Sequence, residues 1–108
     1  MTLVGQPQVQ SEPQDIFDLR RAAEHGDAQK QFELGSRYYT GKGVAKDHAE
    51  AMKWYCKVAE QGDPGKQFQV GFMYWIDGNN VEAAKWYRRS AEQGHLLAQS
   101  DLADMYVN

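Results

Sequence analysis

"KWYCKVAEQG" at Lys53–Gly62 and "KWYRRSAEQG" at Lys85–Gly94 are nearly the same ten letters, 32 positions apart. A small domain seldom needs two copies of a catalytic site, whereas a structural unit that stacks on itself has to be written more than once. The duplication extends outward. "AAEHG" at Ala22–Gly26 stands 36 positions before "VAEQG" at Val58–Gly62, and "SAEQG" at Ser90–Gly94 follows after 32 more. A second phrase alternates with the first. Gln31-Phe32-Glu33-Leu34-Gly35 with Tyr38 returns as Gln67-Phe68-Gln69-Val70-Gly71 with Tyr74, and again as Gln99-Ser100-Asp101-Leu102-Ala103 with Tyr106. The four-residue difference in period lies in one place, where "TGKGVAKDHAEA" shortens to "IDGNNVEA". A loop shrinks while the elements on either side keep their lengths.

Periodicity makes those elements helices. Ala51, Trp54, Tyr55, Val58 and Ala59 fall on one stripe of a 3.6-residue repeat, and Ala83, Trp86, Tyr87 and Ala91 repeat it with Ser90 in place of the valine. Asp47 precedes Glu50 by three residues and Asn79 precedes Glu82 likewise, the spacing of a helix N-cap. Gly62 and Gly94 fit the left-handed position after a helix, and Pro64 fits the first turn of the next one. The pattern predicts six helices, at 15–25, 28–40, 47–61, 64–76, 80–93 and 96–107. They alternate between an A type carrying the Gln-Phe phrase and a B type carrying the Lys-Trp-Tyr phrase, with the first helix a shortened B. Gly35 and Gly71 inside A helices should each cost about 1 kcal/mol relative to alanine. A small residue at that register, Ala103 in the third copy, implies close approach by a neighbouring backbone or a tryptophan ring.

The order of an A helix, a "TGKGVAKD" loop and a B helix "HAEAMKWYCKVAEQG" resembles the Sel1-like repeat, a family related in shape to tetratricopeptide repeats. The resemblance spans Ala22 to Val107. Lys30 and Lys66 depart from the family's small residue, which returns as Ala98, and Arg37 stands where the family favours methionine, as at Met73 and Met105. The resemblance implies an all-α fold, an α/α superhelical solenoid of about two and a half helix-hairpin repeats. Residues 1–14 would form a mobile N-terminal tail. A half repeat at 15–26, repeats at 27–62 and 63–94, and a partial repeat at 95–108 would follow. It also implies a scaffold or adaptor for a protein or peptide partner. The alternatives are a self-assembling repeat module, or a cell-wall-related hydrolase like cysteine-rich relatives of the family.

Composition narrows the function further. The chain has 108 residues and a net charge of -3, so no basic field is available to hold nucleic acid. Its one cysteine, Cys56, excludes an intrachain disulfide and with it the paired cysteines of those hydrolase relatives. A single free thiol suits a reducing, cytoplasmic compartment. The start "MTLVGQPQVQSEPQD" lacks the charge and apolar core of a signal peptide, although a periplasmic protein with its leader removed would read the same. No apolar run reaches the ~20 residues of a membrane span.

Candidate chemistry is sparse. "GKG" at Gly41–Gly43 lacks the spacing of a phosphate loop, and no strand precedes it. His25, His48 and His95 are not at ligand spacing from one another, and His48 and Cys56 would lie ~12 Å apart along a helix. Glu24, Glu60 and Glu92 share one repeat position and are expected to hydrogen-bond a neighbouring helix or loop. Cys56 has only Lys53 and Lys57 near it in sequence to activate it, and the expectation is an unreactive thiol. The Trp54/Tyr55 and Trp86/Tyr87 pairs belong to the core stripe. No catalytic residue, metal or cofactor is assigned.

Binding has a stronger signal. Stacked repeats make a concave surface lined by A helices. At its outward positions the first A helix reads Ser36, Arg37, Tyr39 and Thr40, and the second reads Phe72, Met73, Trp75 and Ile76. With Phe68, Val70 and Tyr74 the second A helix is apolar almost all round, and Phe72, Trp75 and Ile76 share a face that its own repeat cannot easily cover. Either a partner covers that face or the shortened loop tucks the three side chains into the intramolecular core. On the first reading the expected partner site is Arg37, Tyr39, Phe72, Trp75 and Ile76, with Lys30 as a further polar contact. The third A helix stops without a B helix, so Leu102, Met105 and Tyr106 are expected to drive self-association into a homodimer.

Overall fold

The computed structural model describes residues 12–107, which form six helices and, among the described residues, no strand. They are α1 (Gln14–Glu24), α2 (Ala28–Thr40), α3 (His48–Ala59), α4 (Pro64–Ile76), α5 (Asn80–Glu92) and α6 (Leu96–Val107). Helices α2, α4 and α6 are of the A type, and α1, α3 and α5 of the B type, with α1 the shortened one. Each packs on its neighbours in sequence. The radius of gyration is 17.4 Å, against about 13 Å for a round domain of this length, as expected for hairpins stacked in a row. Of the tail expected over residues 1–14, positions 1–11 lie outside the described residues. Glu12 pairs with Arg20, and Pro13 caps α1, which begins at Gln14.

Short polar side chains start the helices. Asp27 accepts a hydrogen bond from the Lys30 backbone, Asp47 from Glu50, Asp63 from Gly65 and Lys66, and Asn79 from Glu82. Each satisfies donors that the first helical turn leaves open. Gly62 and Gly94 turn the chain between hairpins at φ 107° and 91°, and Pro64 opens α4.

Two registers hold each hairpin. Gly35 lets the Tyr55 ring against α2, so close that an added Cβ would sit 2.9 Å from Tyr55 Cε1. Gly71 does the same for Tyr87, at 2.7 Å. The small residue thus admits the neighbouring backbone, the Ala51 or Ala83 carbonyl 3.3 Å from such a Cβ, as the sequence suggested, together with a tyrosine ring rather than a tryptophan. The tryptophans pack elsewhere. Trp54 lies with Ile16, Leu19, Ala23 and Leu34, joining α3 to α1 and α2, and Trp86 lies with Ala51, Met52, Tyr55 and Val70, joining α5 to α3 and α4. Both are buried, so each B helix carries the contact between one hairpin and the one before it.

The second register is a glutamine ladder. Gln31, Gln67 and Gln99 donate through Nε2 to the carbonyls of Ala23, Ala59 and Ala91, at 3.0 to 3.1 Å. Those carbonyls lie at the ends of the preceding B helices, where each also accepts from the backbone of the turn glycine, Gly26, Gly62 or Gly94. Gln61 then donates to Gln31 Oε1, and Gln93 to Gln67 Oε1. This corrects the expectation for the glutamates. Glu24, Glu60 and Glu92 are exposed, and the inter-helix hydrogen bonds come from the residue after each of the last two and from the A-helix glutamine.

Candidate functional site: a groove between α4 and α6

The outward face of α4 is uncovered. Phe72 and Trp75 are each 48% exposed and Ile76 is 62% exposed, although all three are large and apolar. They form one wall of a groove of about 650 Å³. Asp101, Asp104 and Met105 of α6 form the other wall, and Asn80 and Tyr87 of α5 lie between them. The groove exists because α4 and α6 are successive A helices standing side by side on α5.

The same geometry one repeat earlier is filled differently. Tyr55 holds the position of Tyr87, and its hydroxyl lies 3.1 Å from Ser36 Oγ on α2. Tyr39 lies beside the Tyr55 and His48 rings, with centroids 6.5 and 5.8 Å away. His48 reaches across to Asp77 at the end of α4, at 2.7 Å. In the second repeat Asn80 replaces His48 at that register and Phe72 replaces Ser36. The Tyr87 hydroxyl is left buried with no hydrogen-bond partner among the described residues. Burial, with the negative charge of Asp101 adding to it, pushes the Tyr87 phenol up to about 12.

The residues expected to bind a partner therefore separate. Phe72, Trp75 and Ile76 are brought together, and Met105, expected at a dimer contact, joins them in the groove. Tyr39 stays exposed but belongs to the earlier repeat. Arg37 does not share the face of Phe72 and Trp75. It turns toward α1 and the following loop, 3.5 Å from Asp15 and 3.7 Å from Glu33, and donates to the Lys42 carbonyl. Met73, at the same register, packs on the core around Met52 and Trp86. Lys30 is exposed beside Glu33, at 3.8 Å. Leu102 packs partly against Ala83 and Tyr87, and exposed Tyr106 pairs through its hydroxyl with Arg88. The acidic wall, Asp101 and Asp104, was not among the expected site residues. Its signal is its register, since Asp104 repeats the position of Ser36 and Phe72.

The remaining candidates for chemistry have structural surroundings. Gly41 and Gly43 adopt φ 80° and 85° in the turn between α2 and α3. Cys56 is half-buried, its Sγ 3.5 Å from the Tyr74 hydroxyl, and burial pushes the thiol up from its ordinary range. His95 stacks on Phe68 and accepts from the Ala98 backbone. Among the described residues no group of three acidic, histidine or cysteine side chains is placed to hold a metal, and no helix is long and apolar enough to cross a membrane.

Comparison with known proteins agrees with this architecture. The Sel1 repeat model matches residues 31–63 and 67–95. A Sel1 repeat protein from Oxalobacter formigenes is 36% identical, with a TM-score of 0.68, over 86% of this chain and 73% of that one. A protective antigen of uropathogenic Escherichia coli strains, displaying an SLR fold, is 40% identical with a TM-score of 0.68. That match covers 89% of this chain but spans only 21% of the antigen. No curated protein matches the chain.

Proposed function

The chain belongs to the Sel1 repeat family, whose members are generally protein-interaction scaffolds, and from that premise we propose that it is a non-catalytic adaptor docking a segment of a partner protein in the groove between α4 and α6. The observation that carries this reading is the exposure of Phe72, Trp75 and Ile76 on one face. Three large apolar side chains side by side in water form a patch that a partner would cover. Aromatic anchors in a preformed groove are also the residues that dominate binding energy at interfaces. Tyr39 extends the same row of A-helix positions and supplies a peripheral contact. The adaptor works by rigid presentation: the glutamine ladder and the tyrosine–glycine contacts fix the A helices, so the groove exists before the partner arrives.

The test is a paired affinity capture from the producing cells with wild-type and Trp75→Ala protein. At least one captured protein should be lost with the variant. A capture profile unchanged by Trp75→Ala overturns the reading.

A second reading, self-association through α6, is favoured by the exposure of Leu96, Leu97 and Tyr106, each at least 60%. Sedimentation equilibrium at tens of micromolar should then give a mass above the monomer that Tyr106→Ser lowers. A monomer mass for the wild type removes it.

A further inference from the structure

We infer that the occupant of the α4–α6 groove is a peptide segment presenting an arginine or lysine side chain between the ring faces of Phe72 and Trp75 and the carboxylates of Asp101 and Asp104. The inference rests on the docking reading above and specifies the chemistry of the partner.

Charge complementarity is the first argument. The eight residues lining the groove include two carboxylates and no basic side chain. Neither Asp101 nor Asp104 makes an ion pair with another described residue. On α5, Arg88 is turned to the Tyr106 hydroxyl, and Arg89 lies over the Trp86 ring, 4.6 Å from its centroid. An acidic wall opposite exposed aromatic rings attracts a cation twice, through the carboxylate charge and through the electron-rich ring face.

The second argument is independent of charge. Tyr87 is fully buried, yet its hydroxyl has no partner among the described residues, and the residue forms part of the groove. Orphaned polar groups of this kind are rare, because each carries a desolvation penalty. The equivalent hydroxyl of Tyr55 is satisfied by Ser36. Phe72 takes away that partner in the second repeat, and with it goes the intramolecular solution. A phenol both donates and accepts. It suits a peptide that brings an N–H of a guanidinium or ammonium group, or a backbone carbonyl, to the groove. A purely aliphatic anchor would leave the phenol unpaired and both carboxylates facing apolar atoms.

The first repeat fills its groove in another way. At the register of Asn80 it has His48, which spans to Asp77 and lies beside Tyr39, so the earlier groove is bridged from within. Its wall on α4 also lacks the charge, because Gln69 and Phe72 stand there at the registers of Asp101 and Asp104.

A random dodecapeptide display library, panned on the wild-type chain and depleted on Trp75→Ala, tests this. Enriched peptides should carry arginine or lysine beside an apolar residue. Synthetic copies should bind the Asp101→Asn/Asp104→Asn variant at least tenfold more weakly than wild type, with a matching loss when the basic residue is replaced by norleucine. Circular dichroism of the variant keeps misfolding separate from lost charge. Enriched peptides without a basic residue, or equal binding to the variant, overturn the inference while leaving the docking groove standing. No enrichment that depends on Trp75 overturns the docking reading as well.

Discussion

Gly71 shows how one atom decides a helix contact. Alanine there would favour the helix by about 1 kcal/mol, but its Cβ would meet Tyr87 Cδ1 at 2.7 Å and the Ala83 carbonyl at 3.3 Å. Overpacking of that kind costs about 1–3 kcal/mol, and the ring is buried and cannot swing away. Gly71→Ala is therefore expected to destabilise the protein in urea denaturation, despite its better propensity. A gain in stability would mean that the tyrosine–glycine contact is not what spaces the hairpin. Phe72→Ser makes the complementary prediction. It gives Tyr87 the partner that Ser36 gives Tyr55, a hydrogen bond contributing about 1 kcal/mol. It removes a ring that is half exposed, so the lost burial is about half of the 1.5–3 kcal/mol of a fully buried side chain. The two nearly offset, and the denaturation midpoint should move little while Trp75-dependent binding is lost. The sequence alone could identify Gly35 and Gly71 as close-approach sites, because glycine in a helix interior is otherwise unfavourable. It could not name the ring. Both Trp54 and Tyr55 lie on the same stripe, and only their packing distinguishes the side that faces the glycine.

At the scale of the elements, the hairpins are joined by the glutamine ladder. Gln67 is buried and serves two groups, the Ala59 carbonyl and the Gln93 amide. Gln67→Ala removes a buried side chain with two inter-helix hydrogen bonds, at about 1 kcal/mol each. Gln99 makes the same bond to Ala91 but is exposed, so water can replace it and Gln99→Ala should cost under about 1 kcal/mol. Equal losses in thermal denaturation would argue against burial as the cause. The ladder was visible in the sequence only as a recurring glutamine, since the recurring glutamate beside it looked equally suited to the task. The helices themselves were legible almost to the residue, because caps, period and punctuating glycines agree at each end. Alkaline pH tests the interiors of these elements. Burial raises the phenols of Tyr55, Tyr74 and Tyr87 above their ordinary value near 10. Their contribution is thus fully present below about pH 10 and is lost as pH rises through the folded-state values. For Tyr87 the window runs from about 10 to about 12. Stability should fall across it, and Tyr87→Phe should make the fall shallower. An identical slope in the variant would place the proton loss elsewhere.

The whole molecule separates the residues that hold the solenoid from the exposed face proposed to meet a partner. The core is a chain of local clusters, and three exposed apolar residues, Phe72, Trp75 and Ile76, share the groove with the acidic residues of α6. The sequence made the apolar face of α4 visible because Phe72, Trp75 and Ile76 exceed what one helix can bury. Arg37 was not separable from it. Its register neighbour Met73 turns to the core, and Arg37 instead reaches the Asp15 carboxylate on α1, a contact between residues 22 positions apart. The acidic wall was equally hidden, since Asp101 and Asp104 read as ordinary solvent positions until α6 is placed beside α4. The most direct measurement is equilibrium urea denaturation of Trp54→Ala, Trp86→Ala and Trp75→Ala side by side. Trp54 and Trp86 are 6% and 7% exposed, and Trp75 is 48% exposed. Truncating either buried ring is expected to cost about 3–5 kcal/mol, a large share of a total near 5–15 kcal/mol, and Trp75→Ala clearly less. If Trp75→Ala destabilises the protein as much as the other two, its ring belongs to the core and the face assigned to a partner does not exist.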